Sequence, residues 1–235
     1  MLKEENIEKL SEELNQHNAE ILYPVGNEVL KLNQESQFTS LFRGILSGEE
    51  IKRTCLNTNR PMLNPCEDSY RWNGVSGGLD QNGYSIRLGN KWSVITSEFI
   101  DTSDIKGTLT YEQSEAQYYD LAPGQSILAV SQEKFNLPEW VIGLSWGKST
   151  IARLGLLIAI TPIESGWDGH LTIEITNNNG PYINEDKSKS HSGAKIRLWE
   201  GLPITQIVFH AVMPSKYSGV YNGQKYVPVN ALDNK

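Results

Sequence analysis

A cluster of polar residues between Gly147 and Arg153 has the composition of a site for an anion or a water molecule. Lys148, Ser149 and Arg153 place two cations and a hydroxyl within seven residues, beside a glycine that leaves the backbone accessible. Such a set can hold phosphate oxygens or polarise water, because cationic and hydroxyl groups donate strong hydrogen bonds to negatively charged oxygens. The segment therefore predicts a site for an anionic ligand.

About twenty residues later a carboxylate stands in a strand-like run. Apolar and polar residues alternate from Leu171 to Thr176, so that Glu174 falls on the polar face with its threonine neighbours. A carboxylate on such a face is usually solvated. If another subunit covers the face, burial raises the pKa of the carboxyl and makes it a candidate general base. The residues alone leave both interpretations open.

Two familiar catalytic motifs are incomplete. Gly147-Lys148-Ser149-Thr150 resembles the end of a phosphate-binding P-loop, but the motif's first glycine would fall at Ile142, and the flanking residues are typical of strands. Pro65-Cys66 lacks the second cysteine of a zinc deaminase, and the four histidines have no metal-ligand spacing. We therefore expect no zinc site.

After about residue 80, short runs with a period of two residues, typical of strands, follow one another. These predicted strands must position the polar cluster at 147–153 and Glu174. Gly, Pro, Asn and Asp separate the runs, which is typical of an all-β sandwich or barrel. Leu88-Gly89-Asn90 is interpreted as one such separating turn. The runs are Ile86–Leu88, Trp92–Val94, Ile127–Ala129, Val141–Gly143, Leu171–Ile175 and Ile204–Phe209.

Helical periodicity is confined to the N-terminal part, so residues 1–42 are predicted to be a helical extension of the main domain at 43–235. A second short helix is predicted at Ser47–Arg53, because Ser47 can cap it and two glutamates would occupy its first turn. The apolar face of the extension consists of Ile7, Leu10, Leu14 and Ile21.

The composition excludes several classes of partner. The formal net charge of −7 leaves no basic footprint for nucleic acid. The longest apolar run, Leu156–Ile160, is far shorter than the about 18 residues that a membrane helix needs, and the charged N-terminus lacks an apolar signal core. Cys55 and Cys66 fit a reducing compartment, although a disulfide between them stays open. We therefore expect a cytoplasmic protein without membrane contact.

Five segments in chain order resemble motifs of the dCTP deaminase family, within the dUTPase-like superfamily. Gly147–Leu156 resembles the family signature Gly-Arg-Ser-Ser-x-Ala-Arg-Leu-Gly. One motif would be a weak sign, but five in order over about residues 43–226 make the resemblance specific. The other four segments are Leu46–Lys52, Gln81–Asn90, Leu121–Val130 and Tyr217–Gln224.

The resemblance implies a distorted β jelly-roll or barrel that assembles as a homotrimer, with active sites at subunit interfaces. It implies zinc-independent hydrolysis of dCTP to dUTP and ammonia, in which Glu174 activates water and shuttles its proton. Ser149 and Arg153 would position that water and stabilise the developing charge. Mg²⁺ would arrive bound to the nucleotide triphosphate.

The resemblance also assigns a set of nucleotide-binding residues. Trp167 is expected to pack against the sugar, and the tail at about 214–235 is expected to close as a lid over the triphosphate. The full set is Lys148, Thr161, Pro162, Glu164, Trp167, Tyr217, Gln224 and Lys225.

The chain departs from the family pattern around the base and the sugar. The family's Tyr-Asp pair is Tyr84-Ser85, the first signature arginine is Lys148, and the tail lysine is Val220. Glu164 replaces an aspartate, in a loop two residues shorter than that of the family. Two alternatives therefore stay open: a dUTPase-like or bifunctional pyrophosphatase that yields dUMP, and a non-catalytic nucleotide-binding member.

Overall fold

The computed structural model describes residues 44–56, 60–180, 182–183 and 190–231, and the predicted extension at 1–42 lies outside them. The described part is mainly β, as the strand pattern predicts. Its helices are α1 (Gly48–Cys55), α2 (Ile105–Thr108) and α3 (Ser149–Arg153). None of them is long and apolar enough to cross a membrane. The strands are β1 (Leu63–Asn64), β2 (Tyr70–Trp72), β3 (Val75–Asp80), β4 (Gly83–Ile95), β5 (Tyr111–Glu115), β6 (Tyr118–Leu121), β7 (Ser126–Asn136), β8 (Val141–Gly147), β9 (Leu156–Ala159), β10 (Asp168–Asn177), β11 (Tyr182–Ile183), β12 (Ser190–His191), β13 (Ile196–Trp199) and β14 (Pro203–Ala211).

A ten-stranded antiparallel sheet dominates the part of the chain that the structure describes, and it curls into a half-barrel. Its main path is β2-β3-β4-β7-β10-β9, while β14 joins β4 to β8. The long strand β4 pairs with β3 and β14 through its first half and with β5 and β7 through its second half. The pairs β6–β13 and β11–β12 form separate two-stranded sheets.

Strand β10 shows why the alternating pattern folds as it does. Every second residue from Gly169 to Asn177 is buried, and the side chains of Ile173 and Ile175 lie entirely within the core. Complete burial of such an aliphatic side chain contributes about 1.5–3 kcal/mol. The register that buries the isoleucines places Thr172 and Glu174 on the opposite face.

The predicted helix near Ser47 is confirmed as α1. The Ser47 hydroxyl accepts a hydrogen bond from the Glu50 backbone amide, and the Glu50 carboxylate accepts one from the Ser47 backbone amide, which completes a capping box. Near Gly147 the expectation of strands on both sides is wrong, because β8 leads directly into α3. The glycine spacing remains the reason why this segment is not a P-loop.

Two further expectations need correction. Leu88-Gly89-Asn90 is not a turn, since it lies inside β4, where the pairing with β7 shifts register between Leu88 and Trp92. Gly89 gives room to a distant residue there, because a Cβ would lie 2.5 Å from the Tyr226 hydroxyl oxygen and would force that side chain to shift. The strands also begin before residue 80, at β1, β2 and β3. The run Val75-Ser76-Gly77-Gly78 has no apolar alternation that would indicate a strand.

Candidate active site

A cavity of about 540 Å³ opens beside the polar face of β10. The loop before β10 forms one wall, and the C-terminal tail, described here as far as residue 231, forms another. The lining residues are Tyr111, Leu128, Ile160, Thr161, Pro162, Ile163, Glu164, Trp167, Leu171, Thr172, Glu174, Tyr217, Tyr221, Gln224, Val229, Asn230 and Ala231.

Glu174 is the chemically distinctive group of this cavity. It lies in the middle of β10, opposite Leu128 of β7 and Ala159 of β9. Its Oε2 atom is buried and has no hydrogen-bond partner among the described residues. Burial raises the pKa of the Glu174 carboxyl, because a desolvated carboxylate is less stable than a neutral acid. The group is therefore poised to take up a proton from a molecule in the cavity.

The loop before β10 brings Glu164 and Trp167 to the same cavity. A reciprocal pair of backbone hydrogen bonds between Ile163 and Gly143 fixes the loop to β8, and the Trp167 amide closes a turn on the Glu164 carbonyl. Glu164 is exposed, whereas Trp167 is 7% exposed and its ring centroid lies 6.4 Å from that of Phe135. Trp167 is thus both a core residue and a wall of the cavity.

The C-terminal tail lies along the start of β10. The Tyr217 amide donates to the Ser165 carbonyl, and the His170 amide donates to the Gln224 carbonyl. Gly169 makes this approach possible, because a Cβ at that position would lie 2.7 Å from the Gln224 backbone nitrogen. The indole Nε1 of Trp167 donates to the Tyr221 carbonyl at 3.2 Å. The tail therefore forms a wall of the cavity in this structure.

Thr172 joins the tail to the strand that carries Glu174. Its hydroxyl oxygen accepts hydrogen bonds from Gln224 Nε2 at 2.7 Å and from the Val229 amide at 2.9 Å. Farther along the tail, the Ser93 hydroxyl donates to Asn230 Oδ1 at 2.6 Å. Gln224 is consequently buried and lines the cavity, with its side-chain amide held by Thr172.

The predicted cations and the predicted serine do not line this cavity. Lys148 is buried elsewhere, where its Nζ donates to Ser85 Oγ at 2.8 Å and to Ser76 Oγ at 3.1 Å, and burial lowers the pKa of its ammonium group. The side chains of Ser149, Arg153 and Lys225 are exposed and do not contribute to the described lining. One chain therefore brings together Thr161, Pro162, Glu164, Trp167, Glu174, Tyr217 and Gln224, but not the other four predicted residues.

A family model described as dCTP deaminase-like matches residues 45–186, which is more than half of the chain. The chain belongs to this family. It is 34% identical over 137 residues to a dCTP deaminase from Erythrobacter litoralis, a match that covers 57% of this chain and 73% of that protein. It is 39% identical over 136 residues to a dCTP deaminase from Chloroflexus aggregans, with coverage of 57% and 72%.

The fold of this family member agrees with a solved structure. The 2′-deoxycytidine 5′-triphosphate deaminase from Agrobacterium tumefaciens aligns with a TM-score of 0.50 at 19% identity, over 72% of this chain and 48% of that one. This likeness concerns the fold, and it confirms the β-barrel or jelly-roll architecture that the sequence resemblance implies. The family match ends at residue 186, so β13, β14 and the tail lie beyond it.

Several lining residues of this family member were not predicted from the sequence. Thr172 could have been found, because it shares a strand face with Glu174 at a spacing of two. Tyr111, Tyr221 and Asn230 come from a distant strand and from the tail, and no local pattern links these residues to β10. Their placement depends on long-range packing alone.

Thr172→Val is expected to release the tail from β10. The valine keeps the shape but removes the acceptor, so the Val229 amide loses this hydrogen bond and Gln224 Nε2 keeps the longer one to the Val227 carbonyl, at about 1–3 kcal/mol for a donor left unpaired. Hydrogen–deuterium exchange of residues 217–231 should therefore accelerate in the variant. Thr172→Ser should restore protection, and Thr176→Val serves as a matched control because, among the described residues, its hydroxyl bonds to exposed Ser126 and not to the tail. Unchanged exchange in Thr172→Val would show that Thr172 does not hold the tail.

Proposed function

We propose that this chain hydrolyses the 4-amino group of dCTP to give dUTP and ammonia. The observation that carries the proposal is the buried, unpartnered Oε2 of Glu174 in a cavity closed by the tail, in a chain of the dCTP deaminase-like family. Relatives in that family carry the name dCTP deaminase at 34–39% identity. Neither alternative, dUMP production or binding without turnover, has a structural observation of its own in support.

The chemistry requires a base for water and later an acid for the leaving amine. Glu174 takes a proton from water as the water oxygen bonds to C4 of cytosine, and it passes that proton to N3. The hydroxyl now on C4 gives its proton to the same carboxylate, which protonates the amine as the C4–N bond breaks. A carboxyl whose pKa is raised by burial can serve in both directions, because it holds and releases a proton at less cost near neutral pH.

Thr172 is positioned to orient the attacking water. Its hydroxyl oxygen already accepts two hydrogen bonds from the tail, which leaves its own proton to be donated. On the same strand face, Glu174 Oε2 lacks a donor among the described residues. We infer that a water molecule between the two groups accepts from Thr172 and donates to Glu174. Its remaining lone pair would face C4.

The triphosphate needs cations that a single chain does not provide. The described lining contains the carboxylates Glu164 and Glu174 and no lysine or arginine, so its field repels an anion. Ser149 and Arg153 are exposed on α3, and the flanking side chains of Trp146 and Leu157 are 60% and 58% exposed. Exposed apolar groups around a polar segment indicate contact with another protein surface. This supports a homotrimer in which α3 of one subunit completes the cavity of the next.

Two departures from the family pattern contact each other. Lys148 replaces the first arginine of the signature, Ser85 replaces the aspartate of the first motif, and the Lys148 amine donates to the Ser85 hydroxyl at 2.8 Å. A hydroxyl holds an ammonium less strongly than a carboxylate does. The proposed binding of the triphosphate by Lys148 therefore requires its amine to leave Ser85, whereas Arg153 is exposed already. Mg²⁺ would enter as part of the substrate, on the phosphate oxygens.

The decisive experiment resolves the products. Purified protein is incubated with dCTP and Mg²⁺, and ammonia, pyrophosphate and nucleotides are measured. Ammonia and dUTP in equal amounts, without pyrophosphate, are expected. Release of pyrophosphate with dUMP would establish the bifunctional alternative, and bound but unchanged dCTP would establish a binding protein. Parallel reactions with dCMP, dUTP and CTP define the substrate, and CTP turned over as fast as dCTP would contradict the proposed packing of Trp167 against deoxyribose.

The pH dependence should report the environment of Glu174. Burial raises the pKa of this carboxyl above the ordinary glutamate value of about 4.3. As the pH falls through the raised pKa, Glu174 becomes protonated and cannot accept a proton from water. The plot of log kcat/KM should therefore fall with unit slope on an acidic limb that lies above pH 4.3. Because dCTP also titrates, its affinity for Glu174→Gln is measured over the same range and used as the correction. A corrected profile that is flat through this range would exclude Glu174 as the base.

A further inference from the structure

The chain's two cysteines, Cys55 and Cys66, line a common cavity, which shares no described lining residue with the Glu174 cavity. Cys55 is the last residue of α1, and Cys66 follows β1 by two residues. Both are partly buried against the core, and the pKa of each thiol is shifted chiefly by the other thiol. No disulfide joins them in this structure. Two thiols that meet in the fold, from segments eleven positions apart, form a potential redox pair.

The backbone on both sides of the thiols is tied together. Lys52, one helical turn before Cys55, forms an ion pair with Asp68, two residues after Cys66, with 2.6 Å between Nζ and Oδ1. The Met62 amide donates to the Thr54 carbonyl at 3.3 Å. These contacts hold the end of α1 against the segment that carries Cys66.

A cavity of about 440 Å³ gives access to the pair. Its described lining includes both cysteines, together with Lys52, Asp68 and Asn64. None of these described lining residues belongs to the Glu174 cavity. A small zwitterionic molecule can thus reach the thiols while the candidate active site stays untouched.

The two thiols are not equivalent. The hydrogen bond donated by Cys55 stabilises a thiolate at Cys66 and lowers the pKa of Cys66, helped by the charge of Lys52, although burial and the carboxylates of Asp68 and Glu133 oppose this. The same hydrogen bond, together with burial, raises the pKa of Cys55. Cys66 is therefore the thiol that ionises first and attacks, since the thiolate is the nucleophile.

We propose that Cys55 and Cys66 form a reversible intramolecular disulfide by exchange with a low-molecular-weight disulfide such as oxidised glutathione. The Cys66 thiolate attacks one glutathione sulfur, the glutathione S–S bond breaks, and one glutathione leaves and takes a proton from solvent. Cys55 then loses its proton to solvent and attacks the Cys66 sulfur, and the second glutathione leaves and is protonated. Two protein thiols and one glutathione disulfide thus become one protein disulfide and two glutathione thiols.

The reaction is an equilibrium, so the state of the pair follows the ratio of oxidised to reduced glutathione. This makes the pair compatible with a reducing compartment, in which it stays reduced until that ratio rises. The proposal does not rest on the deaminase function, because neither thiol lines the Glu174 cavity.

The test uses intact-mass spectrometry of the whole protein after treatment with oxidised glutathione. The wild type should lose two hydrogen atoms, become unreactive toward a maleimide and recover both thiols with dithiothreitol. Cys55→Ser should stop at a stable adduct of one glutathione, because its serine still donates a hydrogen bond to Cys66 but cannot resolve the mixed disulfide. Cys66→Ser should form its adduct more slowly, because burial still raises the pKa of Cys55 in the absence of Cys66.

Three results would overturn the proposal. A stable glutathione adduct on the wild type would show that the second thiol cannot reach the first, and disulfide-linked dimers would show that pairing is intermolecular. Equal adduct formation by the two variants would refute the order of attack. Thermal unfolding of both serine variants, compared with the wild type, confirms that the tested proteins are folded. A variant that fails this check is replaced by its alanine counterpart.

Discussion

Glu174→Gln is expected to lower kcat for dCTP by at least about a hundredfold, the usual scale for loss of general acid–base catalysis. Glutamine keeps the shape of the side chain, but its amide cannot accept a proton from water. The Oε2 atom of Glu174 has no hydrogen-bond partner among the described residues, so it is available to the reacting water. Affinity for dCTP should stay close to that of the wild type, because the substituted group contacts the reacting water.

The same variant carries its own stability control. Burial raises the pKa of Glu174, so the ionised carboxyl destabilises the folded state above the unfolded pKa of about 4.3, and this cost is present at neutral pH. The neutral amide removes that cost. Glu174→Gln should therefore unfold at the same temperature as the wild type or a higher one at pH 7, which excludes misfolding as the cause of lost activity. Near-normal turnover in a folded Glu174→Gln protein would remove this residue from the mechanism.

Those parts of the fold that depend on local alternation could be predicted from the sequence. The two-residue period of β10 placed the isoleucines in the core and Glu174 on the other face, and the serine and glutamate of the capping box located the start of α1. Gly89 shows where this reasoning fails. From the sequence, this glycine between two apolar runs is interpreted as part of a turn. In the fold it lies inside a strand and makes room for Tyr226, more than a hundred residues away.

The candidate site also has a part that could be predicted from the sequence and a part that could not. Glu164, Trp167 and Glu174 lie close together in the chain, and their common cavity follows from one loop and one strand. Asn230 reaches this cavity through a hydrogen bond to Ser93, a contact that no spacing in the sequence encodes. The position of the expected cations is harder to predict, because within a single chain Arg153 is exposed and does not line the cavity. A site shared between subunits can be inferred from one chain only through the groups that its cavity lacks, which here are a lysine or an arginine in the described lining.

Mixed oligomers of Glu174→Gln and Arg153→Ala subunits are expected to recover activity that neither variant has alone. In a trimer whose sites each combine Glu174 of one subunit with Arg153 of the next, every mixed trimer has both native residues in one of its three sites, so about a third of the sites are restored. Two differently tagged variants are co-expressed, the mixed oligomers are purified through both tags, and dUTP formation is measured. A mixture of Glu174→Gln and Glu174→Ala subunits, which should stay inactive, is the control. If the Glu174→Gln and Arg153→Ala mixture gains nothing over its separate components, each site is built within one chain, and the cations must then come from residues other than Arg153.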